Sequence, residues 1–543
     1  MRAYILSLFF LLIAASTAAE EAVDVNQQRI TISLPAEPPN LNSLVTTDLY
    51  SSFVLAHVME GLLQYDQRGQ LAAGVAERWE LRVDGATFWL RRDARWSDGQ
   101  PVTAQDFIFA WRTAVAPATG SQYATALFPI KNAEKINRGE LPIEQLGAHA
   151  SDAYKIDVAF ERPCPYFLGL TAFFTYYPVR EDFYRLHAGR YGADSGDLLF
   201  NGAFQLTRWV HGASLNLVRN PHYWNRQQIH LQHIDIAYIT SDSSALLNLY
   251  KNGNIALVTP LEPEALQQAL TLGFPIKHFS TGSLYFWEFN FRRGRLTANK
   301  NFRRALQALF DPQLMVNKIV GIPGLRAADS IFPRTLKVDG QAFIDRYPPP
   351  IPRRSLALAR SLLKQAQQEL GLKQIPPLIL LASDLPRSLR EAEYFQQLLT
   401  AGLGLQVRLD RQTFKQRIEK MTRGDFDIVL AGWGADYDDP LTYGDLMASW
   451  NENNRGRYNS AEYDHWVRIA QQAPDAQQRL QAFAAMQQLL YEDVPVLMSY
   501  ENAELYLQHP QLQGVTRNIF GGDPNYRYAR VLSKRNPASE LAK

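Results

Sequence analysis

The chain has 543 residues, 46% hydrophobic, 20% charged and 12% aromatic, a length for about three domains and a composition that excludes disorder, collagen and disulfide scaffolds. Its 56 basic and 54 acidic residues leave a formal charge of +2, so no nucleic-acid partner is expected. The single cysteine, Cys164, rules out an internal disulfide and a cysteine-based metal centre, and neither metal nor cofactor is expected.

The one strongly apolar stretch, residues 4–15, is shorter than the roughly 20 residues that cross a bilayer. Arg2 precedes it, and Ser16-Thr17-Ala18-Ala19 followed by Glu20-Glu21 has the layout of a cleaved secretory signal peptide, residues 1–19. A buried N-terminal helix is the other reading, less suited to the abrupt change from apolar to acidic. Residues 30–34 read as a strand entering the proline-rich loop 35–40. A strand at 87–91, the Ser97-Asp98-Gly99 turn and a helix opened by Thr103-Ala104-Gln105-Asp106 follow. His230 and His233 lie in a strand-like pattern that sends their rings to opposite faces, against metal binding. Residues 347–352 are a stiff proline connector to an amphipathic helix, 353–370.

Apolar strands at 377–381, 405–409 and 426–431 then alternate with helices at 386–399 and from Thr413 through Met421. Strand, helix, strand, helix, strand predicts a mainly parallel sheet, with ligands at the carboxyl ends of its strands. The last strand runs into Ala431-Gly432-Trp433-Gly434-Ala435-Asp436-Tyr437-Asp438-Asp439-Pro440. Gly432 and Gly434 let another backbone approach, Trp433 and Tyr437 offer flat walls, and Asp436 supplies charge, a set suited to an amphipathic cationic ligand. A tight turn with solvated aspartates, or a carboxylate pair for glycoside hydrolysis, are the other readings of the same residues. No phosphate-binding Gly-x-x-x-x-Gly-Lys loop occurs.

The segment from Arg91 to Phe107, with Arg95-Trp96-Ser97-Asp98-Gly99-Gln100-Pro101-Val102-Thr103 at its centre, resembles the signature of the extracellular solute-binding proteins of peptide ABC importers, oligopeptide branch. Glu60-Gly61-Leu62-Leu63, Val75-Ala76-Glu77-Arg78-Trp79, Asn201-Gly202-Ala203-Phe204, Asn220-Pro221-His222-Tyr223-Trp224 and the Asp436 loop follow the same order. The resemblance implies an α/β fold, a two-lobe periplasmic binding protein of type II, cluster C-like, with an additional α+β domain. Lobe I would take residues 20–49, 178–282 and 499–543, the extra domain 50–177 and lobe II 283–498.

It also implies a non-enzymatic, monomeric periplasmic subunit, not inserted in the membrane, that captures oligopeptides between closing lobes and delivers them to inner-membrane permease and ATPase subunits. A same-fold receptor for a murein peptide, a dipeptide, haem or a nickel chelate is the alternative. By position, Asp436 would pair with the peptide's amino terminus, and the backbone of Glu37, Gly432 and Gly434 would pair with it as an added strand. Trp433, Tyr285, Trp287, Phe414 and Asn201 complete the expected ligand-binding set. The basic residues that would hold the peptide carboxylate are replaced by Leu430, Met421, Pro386 and Val320. A weak dependence on that carboxylate is therefore expected, unless Arg423, Arg417 or Arg387 compensates.

Overall fold

A computed structural model describes residues 21–338, 341–473 and 475–533. The expected signal peptide, 1–19, lies outside the described residues, as does the end of the tail, 534–543.

Three sheets of four or more strands organise the described chain. The first has five strands in the order Val23–Asp24, β1 (Arg29–Leu34), His233–Ile239, Ser214–Arg219 and Phe204–Val210. β1 pairs in parallel with His233–Ile239, and the other pairs are antiparallel. β1 is buried from Ile30 to Leu34, so its apolar residues are held on both faces. The chain then enters α1 (Leu49–Val58), started by Asp48, whose carboxylate accepts from the backbone N–H groups of Tyr50 and Ser51 at 3.0 and 2.9 Å.

The second sheet, all antiparallel, orders Ala76–Arg82, Gly85–Leu90, Lys155–Ala159 and Ala148–Asp152. A helix, Ala104–Val115, packs beside it through Phe107, Ile108, Trp111 and Val115, an i, i+1, i+4, i+8 stripe. Its start is fixed by Asp106, which accepts from Thr103 N at 2.8 Å and Trp96 Nε1 at 3.2 Å. Within the recognisable segment at 91–107, Asp106 thus fixes where the helix begins.

The third sheet carries β2 (Lys277–Phe289), β3 (Leu378–Ser383), α2 (Pro386–Leu403), β4 (Val407–Gln412), α3 (Phe414–Arg423), β5 (Ile428–Trp433) and β6 (Val496–Gln508). Its order is Leu257–Val258, β6, β2, β5, β3, β4, with Arg326–Ala327 added on β6. β3 is parallel to β4 and β5, matching the predicted alternation, but β2 is antiparallel to both β5 and β6. The sheet is mixed because β2 and β6 arrive from distant sequence, where local alternation carries no signal. β2 and β6 pair from Lys277↔Tyr506 to Glu288↔Val496, with a register shift between Ser280 and Leu284. The expected lobe limits, 282/283 and 498/499, fall inside this one ladder.

The landmark motifs at 60, 201 and 220 converge on a buried polar knot. Asn201 accepts from Glu60 N and donates to Glu60 O at 3.0 and 2.9 Å. The Glu60 carboxylate accepts from Tyr223 Oη at 2.8 Å and Trp224 Nε1 at 2.6 Å and faces Arg527 at 3.6 Å. Asn201 is thus spent on internal hydrogen bonds, a correction to its expected ligand-binding role. Glu60→Ala leaves Arg527 buried and unpaired, and chemical denaturation should show a loss of about 3–5 kcal/mol; an unchanged midpoint would contradict the knot's role.

Candidate ligand-binding site

β5 is apolar from Ile428 to Ala431 and sits between β2 and β3, so its carboxyl end opens at the rim of the sheet. Leu284 pairs with Trp433 and Tyr285 with Gly432. Beyond the strand the chain is held by Thr442: its carbonyl accepts from Trp433 Nε1 at 2.6 Å and its hydroxyl accepts from Asp436 N at 2.9 Å. A Cβ on Gly432 would stand 3.2 Å from both Leu284 O and the Tyr285 ring, so any side chain there would crowd its neighbours.

Above this edge lies a cavity of about 310 Å³, within the range of small-ligand sites. One wall comes from Ser33, Leu34, Asp48, Tyr50, Tyr123 and Phe173, the other from Tyr285, Arg387, Trp433 and Asp436. Hydrogen bonds and ring contacts span the two walls. Tyr123 Oη donates to Asp436 Oδ1 at 3.2 Å, Gln122 Nε2 to Thr422 Oγ1 at 3.2 Å, and the rings of Tyr166 and Tyr437 stack at 5.6 Å.

Five expected residues line this cavity: Asp436, Trp433, Gly432, Gly434 and Tyr285. Trp287 does not. It shares a face of β2 with Tyr285 but lies two residues, about 7 Å, deeper, fully buried and stacked on Phe395 of α2 at 4.1 Å. Phe414 stands behind the wall, edge-on to Tyr50 at 4.8 Å. Glu37, expected to pair through its backbone, does not line the cavity, which Ser33, Leu34 and Pro35 reach instead; its side chain accepts from Trp209 Nε1 at 3.0 Å and contacts His211 Nδ1 at 2.7 Å. Tyr123, Tyr50 and Asp48 were not anticipated. Asp48 before an apolar helix is a readable cap; Tyr123 sits in a Ser-Gln-Tyr stretch without periodicity or motif.

Most acids around the cavity are already satisfied. Glu262 pairs with Arg387 at 2.6 Å and Arg390 at 2.7 Å, Arg517 pairs with Glu504 and Asp523 at 2.8 and 2.7 Å, and Asp48 caps α1. Asp439 of the loop is held by Arg479 at 2.7 Å. Asp436 has no cation partner among the described residues. Burial pushes its carboxyl well above the usual range; the Tyr123 hydrogen bond opposes this and Asp445 adds to it. A carboxyl buried beside a cavity with no counter-charge is costly to ionise, and a nearby cation would favour its charged form.

Because the folded-state pKa is raised, the group's stability contribution is complete below about 3.9 and is lost as pH rises toward the folded value. Asp436→Asn should therefore melt with the wild type near pH 3.5 and above it at pH 8, in ligand-stripped protein. Equal melting temperatures at both pH values would contradict the unpaired carboxyl.

Residues 70–455 match the family described as bacterial extracellular solute-binding proteins, family 5 middle. The chain is 30% identical over 518 residues to the periplasmic murein peptide-binding protein MppA of Escherichia coli K12, covering 93% of this chain and 94% of that one. Its structure aligns with the substrate-binding domain of an oligopeptide ABC transporter from Bacillus anthracis at TM-score 0.89 and 30% identity, covering 95% and 100%. Listeria monocytogenes OppA bound to peptide aligns at TM-score 0.87 and 27% identity, covering 93% and 99%. One E. coli MppA structure aligns at TM-score 0.85, with 28% identity over 94% and 100%. The unliganded open form of MppA aligns at only 0.60, with 28% identity over 95% and 100%, so the lobes here stand closer to the former arrangement than to the open one. With its two-lobe fold and most of its length matched, the chain belongs to the family 5 bacterial extracellular solute-binding proteins.

Proposed function

We propose that this protein is the periplasmic substrate-binding subunit of an ABC importer and captures oligopeptides, closing on them with the peptide's amino terminus at Asp436. The observation that carries the reading is the Asp436 carboxyl, buried between the lobes without a cation. The bare backbone at Gly432 and Gly434 beside it supports main-chain pairing with an extended ligand, and Trp433, Tyr285 and Tyr50 give apolar walls that tolerate varied side chains. Lobe closure excludes water and strengthens the ion pair. Membrane permease and ATPase subunits would receive the ligand and supply the energy. A receptor dedicated to one specialised peptide is the second reading, favoured by the similarity to MppA.

Removing one partner of a buried ion pair costs about 3–5 kcal/mol, a few hundredfold or more in affinity. Titration calorimetry should show a loss of that size when a bound peptide is N-acetylated, and a similar loss for the free peptide with Asp436→Ala. Retained affinity in both cases would contradict the proposed orientation.

A further inference from the structure

The cavity wall carries far more acid than base. Five carboxyl side chains line it, those of Asp48, Glu262, Asp436, Glu504 and Asp523, against one guanidinium, Arg387, and no lysine or histidine among the described residues reaches it. Asp48 is spent on capping α1, and Glu262 lies between Arg387 and Arg390. Glu504 and Asp523 differ, because they share a single base. Arg517 donates from Nε and Nη2 to the two oxygens of Asp523 at 2.8 and 2.7 Å, and from Nη2 to Glu504 Oε2 at 2.8 Å. Two carboxylates thus answer to one positive charge. Thr259 Oγ1 donates to the same Glu504 oxygen at 2.7 Å, so Oε1 has no hydrogen bond among the described residues. Asp523 shows the strain of this sharing: burial pushes it up to about 6, with Glu504 adding and Arg517 opposing.

The arrangement is held rigidly. Arg517 lies over the rings of Phe279 and Tyr506 at 4.8 and 4.5 Å, and the loop that carries it and Asp523 is closed by paired backbone hydrogen bonds between Thr516 and Asn525 at 3.0 and 2.9 Å. The arginine side chain is 7% exposed, whereas those of Glu504 and Asp523 are 25% and 18% exposed, so the acids stand in front of their base on the cavity side. Glu504 is opposite Phe279 on β6, and Asp436 follows β5, on the other flank of β2. Two strand spacings, about 10 Å, therefore separate this acid pair from the carboxyl assigned to the amino terminus. Tyr50 and Tyr285 are within electrostatic range of Glu504 and line the cavity, giving apolar faces for an aliphatic stem whose charged head lies beyond them. A cation at Glu504 Oε1 would supply the missing charge in a partly dehydrated setting, where charge-assisted hydrogen bonds are strong.

We propose that Glu504 and Asp523 form a subsite for the side-chain cation of a lysine or arginine, so that the cavity selects basic peptides over neutral and acidic ones. The proposal rests on the peptide reading above and adds a substrate class to it.

The test is calorimetric titration of tri-alanine, and of tri-alanine with lysine, norleucine or glutamate at each position in turn, into ligand-stripped wild type and Glu504→Gln, with cadaverine as a free diamine. Norleucine matches the lysine stem without its charge. At one position lysine should bind at least about tenfold more tightly than norleucine, and glutamate more weakly than either. Glu504→Gln should remove most of that advantage while leaving the norleucine peptide within about twofold. Equal affinity for lysine and norleucine at every position would overturn the proposal without any variant. Equal weakening of both peptides by Glu504→Gln would assign Glu504 a packing role and overturn it too. Cadaverine binding as tightly as the best lysine peptide would give the acids to a free diamine and overturn the peptide subsite. If tri-alanine binds and lysine adds nothing, the peptide reading stands and the subsite falls; if no peptide binds, both fall.

Discussion

One antiparallel ladder, β2 against β6, ties the expected lobes together. β2 and β6 pair across the expected lobe limits, and unpaired backbone groups inside a sheet are costly. The ladder is interrupted by register shifts between Ser280 and Leu284 and between Tyr285 and Phe286; at the first, Gly282 adopts φ +69° and its carbonyl accepts from Tyr443 Oη at 2.7 Å. A left-handed backbone conformation suits glycine and strains other residues. The same ladder supplies cavity wall on both strands: Thr281, Ser283 and Tyr285 from β2, Asn502 and Glu504 from β6. The cavity therefore borders the irregular part of the ladder.

On this frame the electrostatics are uneven in a telling way. The structural acids and arginines are paired: Glu60 with Arg527, Glu262 with Arg387, Asp523 with Arg517, Asp439 with Arg479. Asp436 on one side, Arg417 and Arg455 on the other, have no ion-pair partner of opposite charge among the described residues. Buried charged groups of this kind weaken the empty protein. Tyr123 binds Asp436 from the opposite wall, so the closed arrangement itself shields the carboxyl from water.

The sequence made the strands 378–433, the capped helices and the Asp436 loop legible because each rests on local periodicity or turn chemistry. Thr413 caps α3 as expected, and Gly404 ends α2 in a left-handed conformation. It could not reveal β2 against β6, because pairing over more than 200 residues leaves no local trace. Within the site, Asp436 and Trp433 were marked by the strand that presents them. Trp287 looked equivalent to Tyr285 from alternation alone, and only the cover of Phe395 separates core from cavity. Asn201 and Glu37 have polar side chains that internal partners at 2.7–3.0 Å consume.

The central claim, that the cavity is built for peptides with a free amino terminus, is tested most directly by mass spectrometry of what the native protein carries. Protein purified without denaturation should release a mixed set of short peptides, all with unblocked amino termini, and Asp436→Ala should release none. A single discrete mass from the wild type, or peptides with blocked termini, would contradict the account.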